Sequence, residues 1–276
     1  MHYVIVNGAT IPAIGFGTWT LKGDVCSKLV AHALLLGYRH LDTAAVYDNE
    51  SAVGEGLRIS GVPREDVFVT TKVGFADVAP GNLERSAEAS LERLGLDTID
   101  LLLIHWPNPA IPLAGSIRAL NAVRDSGIVR HIGVSNFPAR LFAEAVCLSD
   151  GPLVANQVES HPFLNQTTVH GACRAAGAAM IAYCPLGRGG ALFEEAAIRD
   201  AAKRHGKSPA QIVLRWQVQQ KGIVAIPRTS HKERLAENLD LFDVELSDHE
   251  MTAISGLRSR NYRICNPDYS PTWDGG

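Results

Sequence analysis

VFVTTK, residues 67–72, is an apolar, β-branched run that ends in a lysine. Such a run is typical of a strand buried on both faces of a parallel sheet, where an unpaired ammonium is costly. Lys72 therefore needs a polar partner where its strand leaves the core. Other apolar runs also end in polar residues, so the carboxyl ends of the predicted strands are the candidate location of a functional site.

Six further apolar runs end in polar side chains, spaced along the whole chain. In chain order these ends are Asp42, His105, Ser135-Asn136, Gln157, Tyr183 and Arg228. In a (β/α)8 barrel the carboxyl ends of the strands meet at one mouth, and the chemistry of the fold takes place there. The pattern therefore predicts both a barrel and a catalytic site at its mouth.

Short strands alternate with helices throughout, which predicts parallel strands joined by right-handed crossovers. We expect strands at 13–18, 38–42, 67–71, 99–104, 131–134, 153–157, 179–183 and 223–226. We expect helices at 25–37, 49–60, 81–95, 113–127, 138–148, 166–177, 209–222 and 231–241, several of which end at glycine. The predicted fold class is α/β, a (β/α)8 TIM barrel in which residues 1–276 form a single domain.

Two segments lie outside this alternation. Near the start, two short runs flank Asn7-Gly8, a hairpin turn signal, so we expect an N-terminal β-hairpin at the bottom of the barrel. Residues 257–276 are rich in proline, asparagine, aspartate and aromatic residues, and we expect an ordered C-terminal loop over the mouth, with disorder as the alternative. The alternative architecture is an open doubly wound sheet, but GFGTWT lacks the glycine spacing of its pyrophosphate loop.

Composition narrows the class of protein. The chain has 276 residues, 46% of them hydrophobic, and a net charge of −3 without a basic stripe, which argues against nucleic acid as a partner. No apolar run approaches the ~20 residues of a membrane span, and residues 1–10 lack the pattern of a signal peptide. The five cysteines are scattered without a CxxC motif, which favours reduced thiols in the cytoplasm over disulfides or zinc.

Four ionisable residues form a candidate proton-donating site: Asp42, Tyr47, Lys72 and His105. A phenol has a reference pKa of about 10, and a nearby ammonium favours the phenolate and so lowers that pKa. Asp42 can hold the ammonium, and His105 can orient a carbonyl group. Each residue alone also has an ordinary interpretation, as a surface phenol, a turn aspartate or a strand-end histidine. Together they predict general acid catalysis on a developing alkoxide.

The segment IPRTSHKERLAENL, residues 226–239, contains a candidate phosphate site. Arg228 and Arg234 offer two guanidinium groups, and Thr229 and Ser230 offer hydroxyls, a set that suits a terminal phosphate monoester. Ser230 is followed three residues later by glutamate, which reads as a capping box at a helix N-terminus that favours anions. The alternative interpretation is a solvated helix start.

These motifs together resemble the aldo-keto reductase family. GFGTW, GYRHLDTAAVYDNE, VFVTTKV, IDLLLIHWP, IGVSNF, NQVESHP, AYCPLG and IPRTSHKERLAENL follow the order of the family over residues 14–274. The short chain and the ending PDYSPTWD are most similar to the bacterial diketogluconate and methylglyoxal reductase branch. The resemblance implies an NADPH-dependent oxidoreductase, cytoplasmic and monomeric, that needs no metal. Its substrates would be small aldehydes or ketones, among them diketo acids, methylglyoxal and aromatic aldehydes.

The resemblance also implies roles for single residues. Tyr47 would be the proton donor, Lys72 would lower its pKa, Asp42 would pair with Lys72, and His105 would orient the carbonyl. The implied contacts to NADPH are Thr18, Ser135, Asn136, Gln157, Tyr183, Cys184, Leu186, Arg188, Arg228, Thr229, Ser230, Arg234, Glu237 and Asn238. Trp19 and Trp106 would line the substrate pocket, with the alternative that they are core tryptophans.

Within that set the resemblance separates the parts of the cofactor. Residues 135, 136 and 157 match those that hold the nicotinamide carboxamide, and Tyr183 matches the aromatic ring stacked on the nicotinamide. Residues 184–188 match a loop along the pyrophosphate. Residues 228–234 match the clamp on the 2′-phosphate, and Glu237 and Asn238 match contacts to the adenine.

Some positions depart from the family pattern or stay open. Val73-Gly74-Phe75 follows the lysine where relatives often have an earlier aromatic residue, so one wall of the substrate pocket is undefined. Cys184 stands where a serine often contacts phosphate, while His161 and Cys265 are expected to be structural. The rival functions are a non-catalytic nucleotide sensor on the same fold and an unrelated barrel that binds a phosphorylated sugar. The complete set of four ionisable residues argues against the sensor.

Overall fold

The strands of the computed structural model, in which residues 2–274 are described, form a hairpin and a parallel sheet. The hairpin strands are β1 (Tyr3–Val6) and β2 (Ala9–Pro12). The parallel strands are β3 (Phe16–Gly17), β4 (His40–Asp42), β5 (Phe68–Val73), β6 (Ile99–Ile104), β7 (Val129–Ser135), β8 (Leu153–Glu159), β9 (Ala179–Tyr183) and β10 (Ile223–Ala225). Met1, Gly275 and Gly276, which belong to the predicted domain and tail, lie outside the described residues, and the single domain stays a prediction.

The sheet closes between its first and last strands. Its order follows the chain from β3 to β10, with parallel neighbours throughout. The Gly15 amide donates to the Ala225 carbonyl at 2.9 Å, and the Ala225 amide donates to the Ala13 carbonyl at 2.9 Å. The Gly17 amide donates to the Pro227 carbonyl at 3.0 Å. Because both edges are paired, the predicted (β/α)8 barrel is confirmed and the open doubly wound alternative is wrong.

Helices connect the strands around the outside of the barrel. They are α1 (Gly23–Leu36), α2 (Glu50–Ser60), α3 (Asn82–Leu94), α4 (Leu113–Asp125), α5 (Ala139–Leu148), α6 (Thr167–Ala175), α7 (Ala196–His205), α8 (Pro209–Gln219), α9 (Lys232–Leu239) and α10 (Asp248–Gly256). Helices α7 and α10 were not among the helices predicted from the sequence. In α7 only Ile198, Ala201 and Ala202 are buried, and in α10 only Glu250 and Ile254.

The hairpin closes the bottom of the barrel, as predicted. Asn7 and Gly8 have φ values of 43° and 83°, the left-handed pair that a two-residue hairpin turn requires. Ile11, on the second hairpin strand, is buried in the cluster that fills the barrel interior together with Leu101 and Leu103. The lower half of the barrel is therefore a packed core, and the accessible chemistry is confined to the opposite end.

Alternation along β5 carries Lys72 to that opposite end. Phe68 belongs to the interior cluster, and a period of two places Thr70 and Lys72 on the same face. The strand continues to Val73, so Lys72 lies inside the strand and does not follow it as the sequence suggested. Its ammonium is thereby directed into the barrel just below the mouth.

Candidate active site

A cavity of about 650 Å³ opens at the carboxyl ends of the barrel strands. Thirteen of the predicted site residues line it: Trp19, Asp42, Tyr47, His105, Trp106, Asn136, Gln157, Tyr183, Cys184, Leu186, Arg188, Arg228 and Arg234. The other seven lie behind its wall or beyond its rim: Thr18, Lys72, Ser135, Thr229, Ser230, Glu237 and Asn238. Residues from every part of the chain thus meet at one place.

Lys72 and Asp42 form a buried ion pair beneath the cavity. Lys72 Nζ donates to Asp42 Oδ1 at 2.6 Å and to the Thr43 carbonyl at 2.7 Å, and both side chains are almost wholly buried. Gln157 Nε2 donates to the second carboxylate oxygen at 2.6 Å. Burial lowers the pKa of Lys72, while Asp42 acts in the opposite direction. The predicted pairing is therefore present, and Asp42 is held on both sides.

Tyr47 lies above this pair, in a short 3-10 helix, Ala45–Tyr47, that follows β4. Lys72 Nζ is 5.0 Å from the centroid of its ring. Burial nevertheless raises the pKa of Tyr47 well above 10, and the Asp42 carboxylate adds to the increase. The net shift is therefore opposite to the lowering that the sequence indicated, because burial dominates and the Asp42 carboxylate acts in the same direction. The phenol keeps its proton at neutral pH, as a proton donor must.

His105 faces Tyr47 across the floor of the cavity. The two ring centroids are 5.6 Å apart at 76°. Burial lowers the pKa of His105 to about 3, and the positive charge of Lys72 contributes. The imidazole is therefore neutral near pH 7, with one ring N–H to donate. The predicted role as a hydrogen-bond donor to a carbonyl is compatible with this state.

A network of amide and hydroxyl groups lines the adjoining wall. Tyr183 Oη donates to Asn136 Oδ1 at 2.8 Å, and Asn136 Nδ2 donates to the His105 carbonyl at 3.0 Å and to Ser135 Oγ at 3.1 Å. Ser135 Oγ in turn donates to the Gln157 carbonyl at 2.7 Å. Asn136 adopts a left-handed φ of 63°, a conformation that strand ends use where a side chain must be aimed. The strand ends are thus locked together around the ring of Tyr183.

The loop after β9 forms one rim of the cavity. Cys184 and Arg188 have positive φ values of 47° and 62°, unusual for residues other than glycine. Leu186 lines the cavity and also packs against the apolar core. On the opposite side, Thr18 is fully buried and its hydroxyl donates to the Asp42 carbonyl at 2.9 Å. Thr18 therefore supports the strand end that carries Asp42.

The candidate phosphate clamp only partly follows the prediction. Arg228 is exposed, and its guanidinium donates to the Trp19 carbonyl at 3.0 Å and to the Thr20 hydroxyl at 2.6 Å. Arg234 is exposed in the first turn of α9 and lines the cavity. Two cationic side chains therefore stand at the rim, as the sequence indicated.

The predicted capping box at Ser230 is wrong. Helix α9 begins at Lys232, and His231 occupies the N-cap position without a side-chain cap. The reason is that the Thr229 hydroxyl accepts the His231 amide at 3.1 Å, which forms a local turn and delays the helix. Thr229 is buried by this turn, whereas Ser230 is exposed.

The two predicted adenine contacts lie further along α9. The Ser208 hydroxyl donates to the Glu237 carboxylate, so Glu237 joins α9 to the start of α8. Asn238 is buried. Glu237 therefore has a structural contact of its own beyond the rim.

The C-terminal tail supplies the wall that the sequence left undefined. Tyr269 packs on Phe75 with ring centroids 4.7 Å apart and meets the edge of Trp106 at 5.5 Å. Trp106 is buried, whereas Trp19 is about half exposed at the rim. The prediction of an ordered loop over the mouth is confirmed for the described residues, and sequence reasoning missed Tyr269 because only the folded tail brings it to Phe75.

Glu159 anchors this tail and was also missed. Its fully buried carboxylate accepts the Ile264 amide at 2.7 Å and the Cys265 amide at 2.6 Å. His161 Nε2 lies 2.9 Å from the same carboxylate, which makes His161 structural as expected. Cys265, expected to be structural as well, instead lines the cavity. A charged residue at the end of an apolar strand, like Lys72, was the signal that could have identified Glu159.

No group of three or more histidine, cysteine, aspartate or glutamate side chains between residues 2 and 274 is arranged to hold a metal ion. Within the same residues, no helix has the length and apolar character that crossing a membrane would take.

Comparisons with known proteins agree with this geometry. The family model described as Aldo/keto reductase family matches residues 13–259. The methylglyoxal reductase DkgB of Salmonella typhimurium (strain LT2) is 39% identical over 269 residues, which cover 96% of this chain and 100% of that protein. The solved structure of a putative 2,5-diketo-D-gluconic acid reductase B is 44% identical, with a TM-score of 0.97 over 100% of this chain and 98% of that one. A Bombyx mori aldo-keto reductase in complex with NADP is 33% identical, with a TM-score of 0.89 over 98% and 99% of the two chains.

Proposed function

Because the chain belongs to the aldo/keto reductase family, whose members are NADP-dependent oxidoreductases of carbonyl compounds, we propose that it reduces small aldehydes and ketones with Tyr47 as the proton donor. The observation that carries this proposal is the buried Lys72–Asp42 pair directly beneath a phenol and a neutral imidazole. Burying two charges costs desolvation free energy. Charged groups that are buried beside a cavity are typical of catalytic sites.

The residues present fit NADPH. The strand-end amides of Asn136 and Gln157 line the inner cavity beside the ring of Tyr183, which offers an aromatic face to a flat heterocycle. The guanidinium groups of Arg228 and Arg234 stand at the outer rim, where a phosphate monoester would find two cations. When bound there, NADPH would supply the hydride for the carbonyl carbon.

The chain itself would perform the proton transfer. The neutral His105 ring N–H would hold the carbonyl oxygen, and the Tyr47 hydroxyl would give its proton to that oxygen as negative charge develops. The raised pKa of Tyr47 keeps the proton available until that moment. The Lys72 ammonium, 5.0 Å from the ring centroid, would then stabilise the phenolate that remains. Asp42 would keep Lys72 protonated in a buried position where its pKa is lowered.

The walls of the cavity support small substrates with an apolar or aromatic part. Trp19, Trp106 and Tyr269 line the same cavity as Tyr47 and give its wall an aromatic character. Two similar proteins are named for methylglyoxal and 2,5-diketo-D-gluconic acid. We propose methylglyoxal, diketo acids and aromatic aldehydes as the candidate substrates, acted on by a cytoplasmic monomer.

A substrate panel tests the proposal. NADPH consumption is followed with methylglyoxal, a diketo acid and benzaldehyde, each beside its alcohol analogue as a control that offers no carbonyl. We expect consumption only with the carbonyl compounds. NADPH binding without turnover on any carbonyl would instead support the nucleotide sensor. No response of protein fluorescence to NADPH would support the barrel that binds a phosphorylated sugar.

A further inference from the structure

Two cysteines face each other across the mouth of the cavity. Cys184 directly follows β9, and Cys265 belongs to the C-terminal tail, 81 residues later. Their sulfur atoms are 4.0 Å apart, and both residues are partly exposed and line the cavity. The pair is therefore accessible to small solutes. Its two cysteines lie on segments that are distant in the chain and are not joined by a disulfide bond.

The two segments are held so that the sulfurs stay close. The backbone amide of Cys265 donates to the buried Glu159 carboxylate at 2.6 Å. Cys184 is fixed on the other side by its left-handed φ of 47° and by the Gly187 amide, which donates to its carbonyl at 2.9 Å. A disulfide needs the sulfurs to approach by about a further 2 Å, to a bond of roughly 2.05 Å.

The surroundings favour a thiolate at Cys184. The hydrogen bond between the two sulfur atoms lowers the pKa of Cys184, and the Arg188 guanidinium acts in the same direction. The same hydrogen bond raises the pKa of Cys265. The remaining cysteines differ: Cys26 and Cys173 are buried with a raised pKa, and Cys147 is exposed. A thiolate is the reactive form of cysteine, so the pair combines an attacking and a resolving thiol.

We propose that Cys184 and Cys265 form a redox modification site that reacts with a hydroperoxide and closes a disulfide across the mouth. The Cys184 thiolate attacks one peroxide oxygen, the O–O bond breaks, and the departing hydroxide of hydrogen peroxide takes up a proton to leave as water. The resulting sulfenic acid is attacked by the Cys265 sulfur, and a second water leaves as the S–S bond forms. The two thiols lose two electrons in total, and the peroxide gains them.

The bond would fasten the tail to the loop that carries Arg188. Both segments line the cavity, so the linkage would fix the distance between the tail and the cofactor side of the mouth. The site stands on the two thiols and does not depend on the reductase reaction. Its test can therefore succeed or fail whatever the substrate is.

Thiol counting and peptide mapping test the proposal on the full chain. The protein is treated with a small molar excess of hydrogen peroxide, the excess is removed, and free thiols are titrated under denaturing conditions. We expect the loss of two of the five thiols, a mass lower by two hydrogen atoms, and a Cys184–Cys265 cross-linked peptide. Dithiothreitol should restore all five thiols.

Matched variants keep the outcome decisive. Cys265→Ser should remain uncross-linked and instead carry an oxidised, dimedone-reactive Cys184, whereas Cys147→Ser, at an exposed position away from the mouth, should still lose two thiols. Each protein is compared before treatment by circular dichroism to establish that it is folded. Disulfides joining two chains, oxidation confined to Cys147, or a wild-type protein that keeps five thiols would overturn the proposal.

Discussion

At the level of single residues, the properties of the site depend on how burial affects four ionisable groups. Lys72 and Asp42 are both almost wholly buried, and each stabilises the buried charge of the other. Tyr47 and His105 lie above them with pKa values displaced by burial in opposite directions, so both are neutral at pH 7. Two neutral hydrogen-bond donors above a buried cation can stabilise the negative charge that develops on a substrate oxygen.

Removing the charges of the pair one at a time and together separates folding from catalysis. Lys72→Met should lower stability by about 3–5 kcal/mol, because it leaves the Asp42 carboxylate buried with one partner fewer. The double variant Lys72→Met/Asp42→Asn should regain most of that stability but not the turnover, since no cation remains beside Tyr47. Urea unfolding and kcat with NADPH measure the two effects. A double variant with wild-type kcat would show that Lys72 serves the fold alone.

Arg234 provides a second test at this scale, on cofactor choice. NADPH and NADH differ by the 2′-phosphate, so only groups that touch it can discriminate between them. We expect Arg234→Ala to raise the Michaelis constant for NADPH by roughly tenfold, less at high salt, and to leave that for NADH unchanged. Arg199→Ala, an exposed arginine on α7, is the control. Equal losses with both cofactors would assign Arg234 to the fold.

At the scale of elements, parallel strands explain why the sequence located so much of the site. Each strand delivers side chains at or near its carboxyl end to the same mouth, so Asp42, Lys72, His105 and Gln157 could be placed without knowing any contact. Contacts that depend on the folding of loops have no comparable pattern in the sequence. The thiol pair 4.0 Å apart and the turn at Thr229 depend on how loops fold back, which the periodicity of an element does not encode.

Two helical glycines test the packing of these elements. A Cβ on Gly54 in α2 would lie 2.0 Å from the Leu94 carbonyl oxygen at the end of α3, whereas a Cβ on Gly171 in α6 would meet nothing within 4 Å. Gly54→Ala should therefore destabilise the protein by about 1–3 kcal/mol. Gly171→Ala should stabilise it by roughly 0.5–1 kcal/mol, because alanine favours the helix. Urea midpoints with the same sign for both would contradict this packing.

At the scale of the whole molecule, the barrel divides into a packed lower half and a polar upper half. The hairpin and the apolar interior close the bottom, and the cavity opens at the mouth. Composition predicted a large core, but the sequence did not predict the direction of every pKa shift. The phenol pKa was expected to fall because the Lys72 ammonium lies nearby, yet burial, a property of the folded molecule, raises it.

Global stability should therefore depend on pH through buried histidine. Burial lowers the pKa of His40 to about 4, below the unfolded value of about 6.5. Between these values the unfolded state binds more protons, so stability is lost as pH falls from 6.5 toward 4. His40→Gln should remove about 1.5 kcal/mol of the stability difference between pH 6.5 and pH 5. An unchanged difference in urea unfolding would contradict a neutral His40.

The most direct measurement is single-turnover reduction by Tyr47→Phe alongside its affinity for NADPH. The substitution removes one hydroxyl from the cavity and leaves the Lys72–Asp42 pair in place. We expect the rate of the chemical step to fall by at least ~10²-fold, the usual scale of general acid catalysis, while the NADPH dissociation constant stays within about twofold. A variant that keeps half of the wild-type rate would contradict the assignment of Tyr47 as the proton donor.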